Sequence, residues 1–308
     1  MGRRGAGRRL PADALQVPEQ LPAPRARRGG DGALGHHGQG GGPAGVPADR
    51  RARAHVRPHV RLQHVPRHHP PEDEAERLGR LIAEQGFRAV KIRVGEAMGR
   101  DGDAAPGRTE RIITHLRDAL GPDVDLSADA NGGYSVPRAI RVGRMLEEHG
   151  YFHFEEPCPF TDLEATAQVT AALDIAVSGG EQDFSLPQFG RMIAMRAVDI
   201  VQPDIGYIGG ISRARKVAVL AEAAGIPCTP HCANDSLLRV FTLHLAAAMP
   251  ACAHPQEWSI ETTPWTRDVY GPMPEVRDGE VPVPTEPGWG VELLPSFART
   301  ADRALTRA

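Results

Sequence analysis

From Pro71 onward the chain alternates between short β-type runs and amphipathic helical segments, with a period of about 25 residues. The first helical segment, PEDEAERLGRLIAEQGF, has acidic residues in its first turn, apolar residues at helical spacing and Gly86 near its end. The β-type runs are AVKIRVG, VDLSAD, YFHFEE, IAVSGGE, VDIVQPD, IPCTPH and QEWSIE. Strands that alternate with helices of this length predict βαβ units and a parallel sheet.

Each predicted strand ends on or near a polar residue with useful chemistry: Lys91, Asp129, Glu155, Glu181, Asp204, His231 and Glu257. Their successive spacings are 38, 26, 26, 23, 27 and 26 residues. One polar residue per βα repeat predicts a (β/α) barrel, because barrel enzymes place their chemistry at the carboxyl ends of the strands. An open doubly wound sheet is the alternative. It is disfavoured because no G-x-G-x-x-G motif follows a strand.

Three of these residues are carboxylates on consecutive strands: Asp129, Glu155 and Glu181. Clustered anions repel one another and raise one another's pKa values unless a cation lies between them. Oxygen ligands select a hard cation, so the pattern predicts a Mg²⁺ site with room for water and a chelating substrate. Asn131, two residues after Asp129, is expected to hydrogen-bond a metal-bound water.

The next two strands end in Asp204 and His231. Neighbouring strand ends would bring the carboxylate within reach of one imidazole nitrogen and raise the basicity of the other. The pair is therefore a candidate general base. Glu257 is a candidate for hydrogen bonding a substrate carboxylate or for acting as an acid, and Glu261 four residues later competes for that assignment.

The motifs DANGGYS, FEEPCP, SGGEQDFSL, VDIVQPD and PHCAND resemble the mandelate racemase branch of the enolase superfamily, over about residues 71–295. The resemblance implies a (β/α)7β barrel with an α+β capping domain before it. It also implies a shared first step, in which Mg²⁺ binds the substrate carboxylate and a base removes the α-proton to give an enediolate. By the same resemblance Asp129, Glu155 and Glu181 are the metal ligands, and His231 with Asp204 is the base.

The second strand indicates which reaction of this branch is expected. Racemases of the family carry Lys-x-Lys there, whereas this chain has Lys91-Ile92-Arg93. Arginine stays protonated near neutral pH, so Arg93 is a poor base and a good anion clamp. One-base dehydration of an acid sugar to a 2-keto-3-deoxy acid is therefore favoured. The Lys-x-Arg and SGGE-x-x-FSL motifs also resemble those of rhamnonate-type dehydratases. A racemase, epimerase or cycloisomerase stays open, as does Lys91 as a second base.

Residues 1–70 differ in composition from the rest of the chain, with thirteen Arg against four acidic residues, seven of the thirteen His and much of the Gly and Pro. Such a segment buries little apolar surface and is expected to be disordered. It also reads as a capping domain and first barrel strand in the wrong frame. With suitable codons, reading GALGHHGQGGG one nucleotide later gives ALWDITGKAAG, which resembles the segment that joins cap and barrel in this family. The same shift turns RPHVRLQHVPRHHP into VPTYASSMSRDITP, which resembles the first barrel strand of the family. We predict a one-nucleotide frame error near residues 70–71.

The predicted organisation is therefore residues 1–70 as a scrambled remnant, 71–268 as the barrel and 269–308 as a segment returning towards the cap. The expected partner is a small acid-sugar carboxylate. A basic arm that binds nucleic acid is disfavoured, because frame slippage explains its Arg and His. No apolar run approaches the length of a membrane span. The four Cys are expected to be reduced and the location cytoplasmic. A homo-oligomer, and an inactive product of a broken gene, remain open.

Overall fold

The structure is a computed structural model, which describes residues 55–56, 58–61, 70–98, 100–260 and 264–300. These residues lie in one compact unit, Ala48–Ala308. Its central feature is a parallel sheet of seven strands: β2 (Pro58–Arg61), β3 (Ala89–Arg93), β4 (Asp125–Asp129), β5 (His153–Glu155), β6 (Ala176–Gly179), β7 (Ile200–Val201) and β8 (Gln256–Ser259).

Seven helices follow the strands in turn: α1 (Pro71–Gln85), α2 (Arg108–Leu120), α3 (Val136–Glu148), α4 (Leu163–Ala172), α5 (Leu186–Ala194), α6 (Ile211–Ala223) and α7 (Leu237–Ala248). The apolar face of each helix packs against the sheet. In α2, for example, the side chains of Ile112, Ile113 and Leu116 are fully buried. This apolar periodicity is what makes these segments helical in the folded protein, because packing supplies most of a helix's stability.

The strand order is β7-β6-β5-β4-β3-β2-β8. Single parallel bridges from Val201 to Cys228 and from Asp204 to His231 place residues 228–231 beside β7, in the position of an eighth strand. Eight strand positions with seven intervening helices form the (β/α)7β arrangement, so the predicted barrel is confirmed. The carboxyl ends of all these strands meet at one mouth.

Residues 58–61 form the first strand of the barrel, although the sequence analysis expected residues 1–70 to be disordered. Strand β2 pairs in parallel with β3 on one side and with β8 on the other. The ladder depends on backbone N–H and C=O groups, so a four-residue segment of unfamiliar sequence can fill the gap, with Pro58 as its first residue, where a strand tolerates proline. The first barrel strand, whose sequence we expected to be scrambled, is therefore present as a backbone ladder. Residues 1–54 and 62–69 lie outside the described residues.

The segment after the barrel packs back onto it. A 3-10 helix (Pro264–Asp268) leads to β9 (Tyr270–Gly271), which pairs with β11 (Glu292–Leu293) before the short helix α8 (Pro295–Thr300). Strand β10 (Val281–Pro282) pairs with β1 (His55–Val56). The four Cys are free thiols, and three of them are buried. Within the described part of the chain, no helix is long and apolar enough to cross a membrane.

Gly143, inside α3, lies against Leu173, and a Cβ at this position would overlap the leucine side chain. We expect Gly143→Ala to lower the free energy of unfolding by about 1–3 kcal/mol through overpacking. Gly190 in α5 is the matched control, since a Cβ there meets nothing within 4 Å. Gly190→Ala should raise stability by about 0.5–1 kcal/mol. Urea unfolding measures both, and equal effects would contradict the close packing of Gly143 against Leu173.

Candidate metal centre and acid-base pair

Strand register brings the three predicted ligands together. Asp129 is the register partner of Glu155 across β4 and β5, so both carboxylates project from the same level of the barrel mouth. Glu181 follows the end of β6, three residues after the partner of Glu155. One carboxylate oxygen from each residue lies within 4.8 Å of the others, and all three side chains are buried. Three buried anionic oxygens at this separation fit a hard divalent cation.

Lys91 lies beneath these carboxylates. Its buried ammonium donates to both oxygens of Glu155, at 2.5 and 2.6 Å, and to Oε1 of Glu257. Gln202 adds a bond from Nε2 to Oε2 of Glu155 at 2.8 Å. Lys91 thus supplies positive charge inside the barrel, where an uncompensated cluster of carboxylates would be costly. Together the two donors fix the orientation of Glu155.

Arg93 and Asn131 contact the carboxylates from the mouth side. Nη2 of Arg93 lies 3.5 Å from Oδ2 of Asp129, and its side chain stays partly exposed. The backbone N–H of Asn131 donates to Oδ1 of Asp129 at 2.7 Å. Its side-chain amide donates to Glu156 and Glu181, at 3.4 and 3.5 Å. Asn131 therefore contacts the carboxylates directly, in addition to the water contact expected from the sequence.

Asp204 and His231 form the pair that their strand positions predicted. Nδ1 of His231 lies 2.7 Å from Oδ2 of Asp204, and both residues are buried. The carboxylate sets the tautomer, so Nε2 is the nitrogen available for proton transfer. Nε2 lies 3.4 Å from Oε2 of Glu181 and 3.8 Å from Oε2 of Glu257. The base candidate and the carboxylate cluster therefore share one site.

Glu257 closes the site from β8. Besides Lys91, it accepts a hydrogen bond from the backbone N–H of Cys232 at 2.9 Å. This carboxylate thus links the ammonium of Lys91 to the loop that carries His231. Glu261, its competitor in the sequence, lies outside the described residues.

Glu156 is a fourth carboxylate of the cluster, which sequence reasoning passed over. Strand alternation would turn it away from Glu155, but its φ of 40° reverses the backbone after β5. It is buried and accepts a bond from Nε2 of Gln182 at 3.0 Å. Burial and the neighbouring Glu181, Asp129 and Glu155 raise the pKa of Glu156 well above its ordinary value. The sequence carried no signal for this position, since a residue before proline is expected to be extended with a negative φ.

A cavity of about 490 Å³ opens above the site. Asn131, Glu181, Gln182 and His231 form its polar floor. Its rim is apolar and is made by Met98, Phe160, Phe184 and Tyr207. The volume is that of an ordinary small-molecule site.

Asp183, two residues after Glu181, provides a test of site electrostatics. Burial raises the pKa of Asp183 from 3.8 to about 6. Between these values the folded state holds a proton that the unfolded state has lost, so stability falls as pH rises from about 4 to 6. We expect Asp183→Asn to remove this fall and to gain about 1–3 kcal/mol at pH 7. Denaturation in EDTA at several pH values measures it, with exposed Asp118→Asn as control; a gain independent of pH would contradict it.

A family model described as enolase C-terminal domain-like matches residues 73–297. Among curated proteins, D-galactarolactone cycloisomerase of Agrobacterium fabrum is 34% identical over 228 residues, which cover 72% of this chain and 58% of the relative. Arabinonate dehydratase of Saccharolobus solfataricus is 31% identical over 219 residues, covering 68% and 53%. The chain therefore spans little more than half the length of these relatives.

Two solved structures give the same result for the fold. A protein of Roseobacter denitrificans proposed to be a racemase is 51% identical, with a TM-score of 0.77 over 80% of this chain and 68% of that one. A mandelate racemase/muconate lactonizing protein of Paracoccus denitrificans, complexed with magnesium, is 31% identical, with a TM-score of 0.71 over 79% and 65%. The resemblance seen in the sequence is confirmed.

Proposed function

Because the chain belongs to the enolase C-terminal domain-like family, we propose that its barrel is the catalytic domain of a Mg²⁺-dependent acid-sugar dehydratase. The observation that carries the proposal is one site that holds three buried carboxylates, a carboxylate-paired histidine and, on β3, Lys-x-Arg in place of Lys-x-Lys. Dehydratases and cycloisomerases both occur among the relatives, so cycloisomerisation is the second candidate. A cytoplasmic location and a homo-oligomeric state remain predictions.

Asp129, Glu155 and Glu181 are the residues that would hold Mg²⁺. Their donor set is entirely oxygen, and the separation of their ligand atoms suits one ion. The bound ion would supply positive charge next to the substrate carboxylate, where negative charge develops when the α-proton leaves. Arg93 and Lys91 add fixed positive charge beside Asp129 and Glu155. The substrate carboxylate therefore binds at this side of the mouth.

His231 performs the proton transfers in the proposed reaction. Nε2 removes the α-proton, and Asp204 stabilises the imidazolium through Nδ1. The electron pair of the C–H bond forms the enediolate. That pair then expels the β-hydroxyl, which takes the proton from His231 and leaves as water. The resulting enol tautomerises to the 2-keto-3-deoxy acid, so that one water is lost and the histidine returns to its neutral form.

Arg93 is what favours dehydration over racemisation. Racemisation needs a second base on the opposite face of the α-carbon, and a guanidinium does not accept a proton near neutral pH. Lys91 could reach the substrate only by leaving Glu155 and Glu257, both of which it contacts. One-base chemistry at His231 is the reaction that the remaining residues support.

The experiment is a screen of acid sugars for 2-keto acid formation, with Mg²⁺ and with EDTA. We expect Mg²⁺-dependent 2-keto acid from at least one acid sugar. Each reaction is also run in deuterium oxide. Exchange of the α-proton without formation of 2-keto acid would instead support a racemase or an epimerase, and an isomeric product without loss of water would support a cycloisomerase.

We also propose that residues 1–70 arise from a one-nucleotide frame error near residues 70–71. The start of the family match at residue 73 supports this. The strongly basic composition before this point and the acidic composition after it are what a change of frame produces. Resequencing the gene across these codons tests it; an uninterrupted frame would refute the proposal.

A further inference from the structure

A second cavity, of about 510 Å³, lies between α1, α7 and the end of β8 and shares no lining residue with the mouth. Leu81 and Gln85 of α1 form one wall, and Met273 to Val276 form another. Two arginines, Arg239 and Arg267, line it as well. The (β/α)7β arrangement leaves this side of the barrel without an eighth helix, which is why a groove of this size exists there.

Arg239, in the first turn of α7, carries the argument. It is only 6% exposed, and its guanidinium lies 4.0 Å from the centroid of the Trp258 ring. Nη2 donates to the carbonyl oxygen of Ser259 at 2.8 Å, which fixes the plane of the guanidinium. Nε is buried and makes no hydrogen bond. The side chain is therefore held rigidly by an aromatic face and a carbonyl.

Among the described residues, Arg239 forms no ion pair. No carboxylate of the residues that the structure describes lies within 4.0 Å of its guanidinium. Two acids also line the cavity: Asp235 accepts a bond from Thr266 at 2.6 Å, and Glu275 lies 3.3 Å from Arg277. Burial lowers the pKa of Arg239 below its ordinary value. Asp235 and the Cys232 sulfur favour the charged guanidinium and offset part of the cost of its burial, and an anion in the cavity would offset more of that cost.

Arg267 gives the second point of contact. It is exposed at the opening of the same cavity, on the 3-10 helix after β8. A buried, stacked guanidinium together with an exposed one at the entrance suits a small anion with two or more oxygens, because guanidinium groups bind such oxygens in pairs. We propose that this cavity is a binding site for a small oxyanion, carboxylate or phosphate in type, held by Arg239 and Arg267 and separate from the catalytic mouth.

The test uses the full chain with Mg²⁺, with potassium phosphate and potassium acetate as two probes against potassium chloride at equal ionic strength. At ten times its Kd, a bound probe should raise Tm by about 3 °C beyond the general salt effect. Calorimetric titration should give one site per chain. A response to phosphate alone or to acetate alone identifies which oxyanion the site accepts.

Three variants decide the outcome. Arg239→Gln should lose the specific Tm shift and the calorimetric signal, and Arg267→Gln should weaken the affinity about tenfold. Arg215→Gln, on the exposed face of α6, is the matched control and should behave as the parent. If neither probe binds, or if the shift persists in Arg239→Gln, the proposal is wrong; if Arg239→Gln does not fold, Arg267→Gln alone decides it.

Discussion

Restoring the reading frame before residue 71 is expected to raise Mg²⁺-dependent 2-keto acid formation at least 100-fold over the present chain. The barrel mouth of this chain carries an exposed apolar rim, with Phe184 68% and Tyr207 61% exposed. The resemblance to the family implies a capping domain that would close over this mouth. Closure excludes water and orients the substrate, and small losses of orientation cost about 10²-fold in rate.

Both proteins are assayed against the same acid sugars at equal concentration, and thermal melts followed by circular dichroism show whether each one folds. The present chain is the control for the barrel alone. If the present chain unfolds cooperatively and yet lacks activity, the barrel folds by itself and the loss of activity is due to the missing cap. Equal activity from the two proteins would refute the role assigned to the cap.

The second large effect concerns His231. In the restored-frame protein, His231→Asn is expected to lower kcat by about 10²–10⁴, because the general base and acid are lost. Mg²⁺ affinity should change by less than about threefold, because nearby Glu181, and not His231, is assigned as a ligand. Asp204→Asn should lower kcat less and shift the pH profile, because it acts through the hydrogen bond to Nδ1.

Glu181→Gln is the matched comparison, since it replaces a carboxylate with an isosteric amide in the same site. It should weaken Mg²⁺ binding by at least about tenfold, measured by calorimetry without substrate, in addition to lowering kcat. A loss of Mg²⁺ affinity in His231→Asn that matches the loss in Glu181→Gln would contradict the division between base and ligands.

The barrel and the residues that surround its mouth could be predicted from the sequence because both depend on short periods. A repeat of about 25 residues with one polar residue at each strand end specifies a barrel and the edge at which those residues meet. Register then follows from backbone pairing: Arg93 with Asp129, Asp129 with Glu155, and Asp204 with His231. Each expected partner lies on an adjacent strand, so local pattern and global position agree.

Contacts between distant side chains could not be predicted in this way. Lys91 reaches Glu155 and Glu257 across the barrel, and Gln202 reaches Glu155 from β7's end, because these side chains point into a shared interior. The position of Glu156 depends on a single positive φ, which strand periodicity does not encode.

By itself, then, the sequence determined the fold class, the edge that carries the chemistry and the oxygen donors that would hold a cation, since periodicity and residue type suffice for these. Only the tertiary structure decided how charge is balanced: that Lys91 lies under the carboxylates, that Glu156 joins them, and that Arg239 is buried on Trp258 without an ion pair to any described residue. Electrostatic balance depends on distance and burial in three dimensions, and neither quantity is written in the order of the residues.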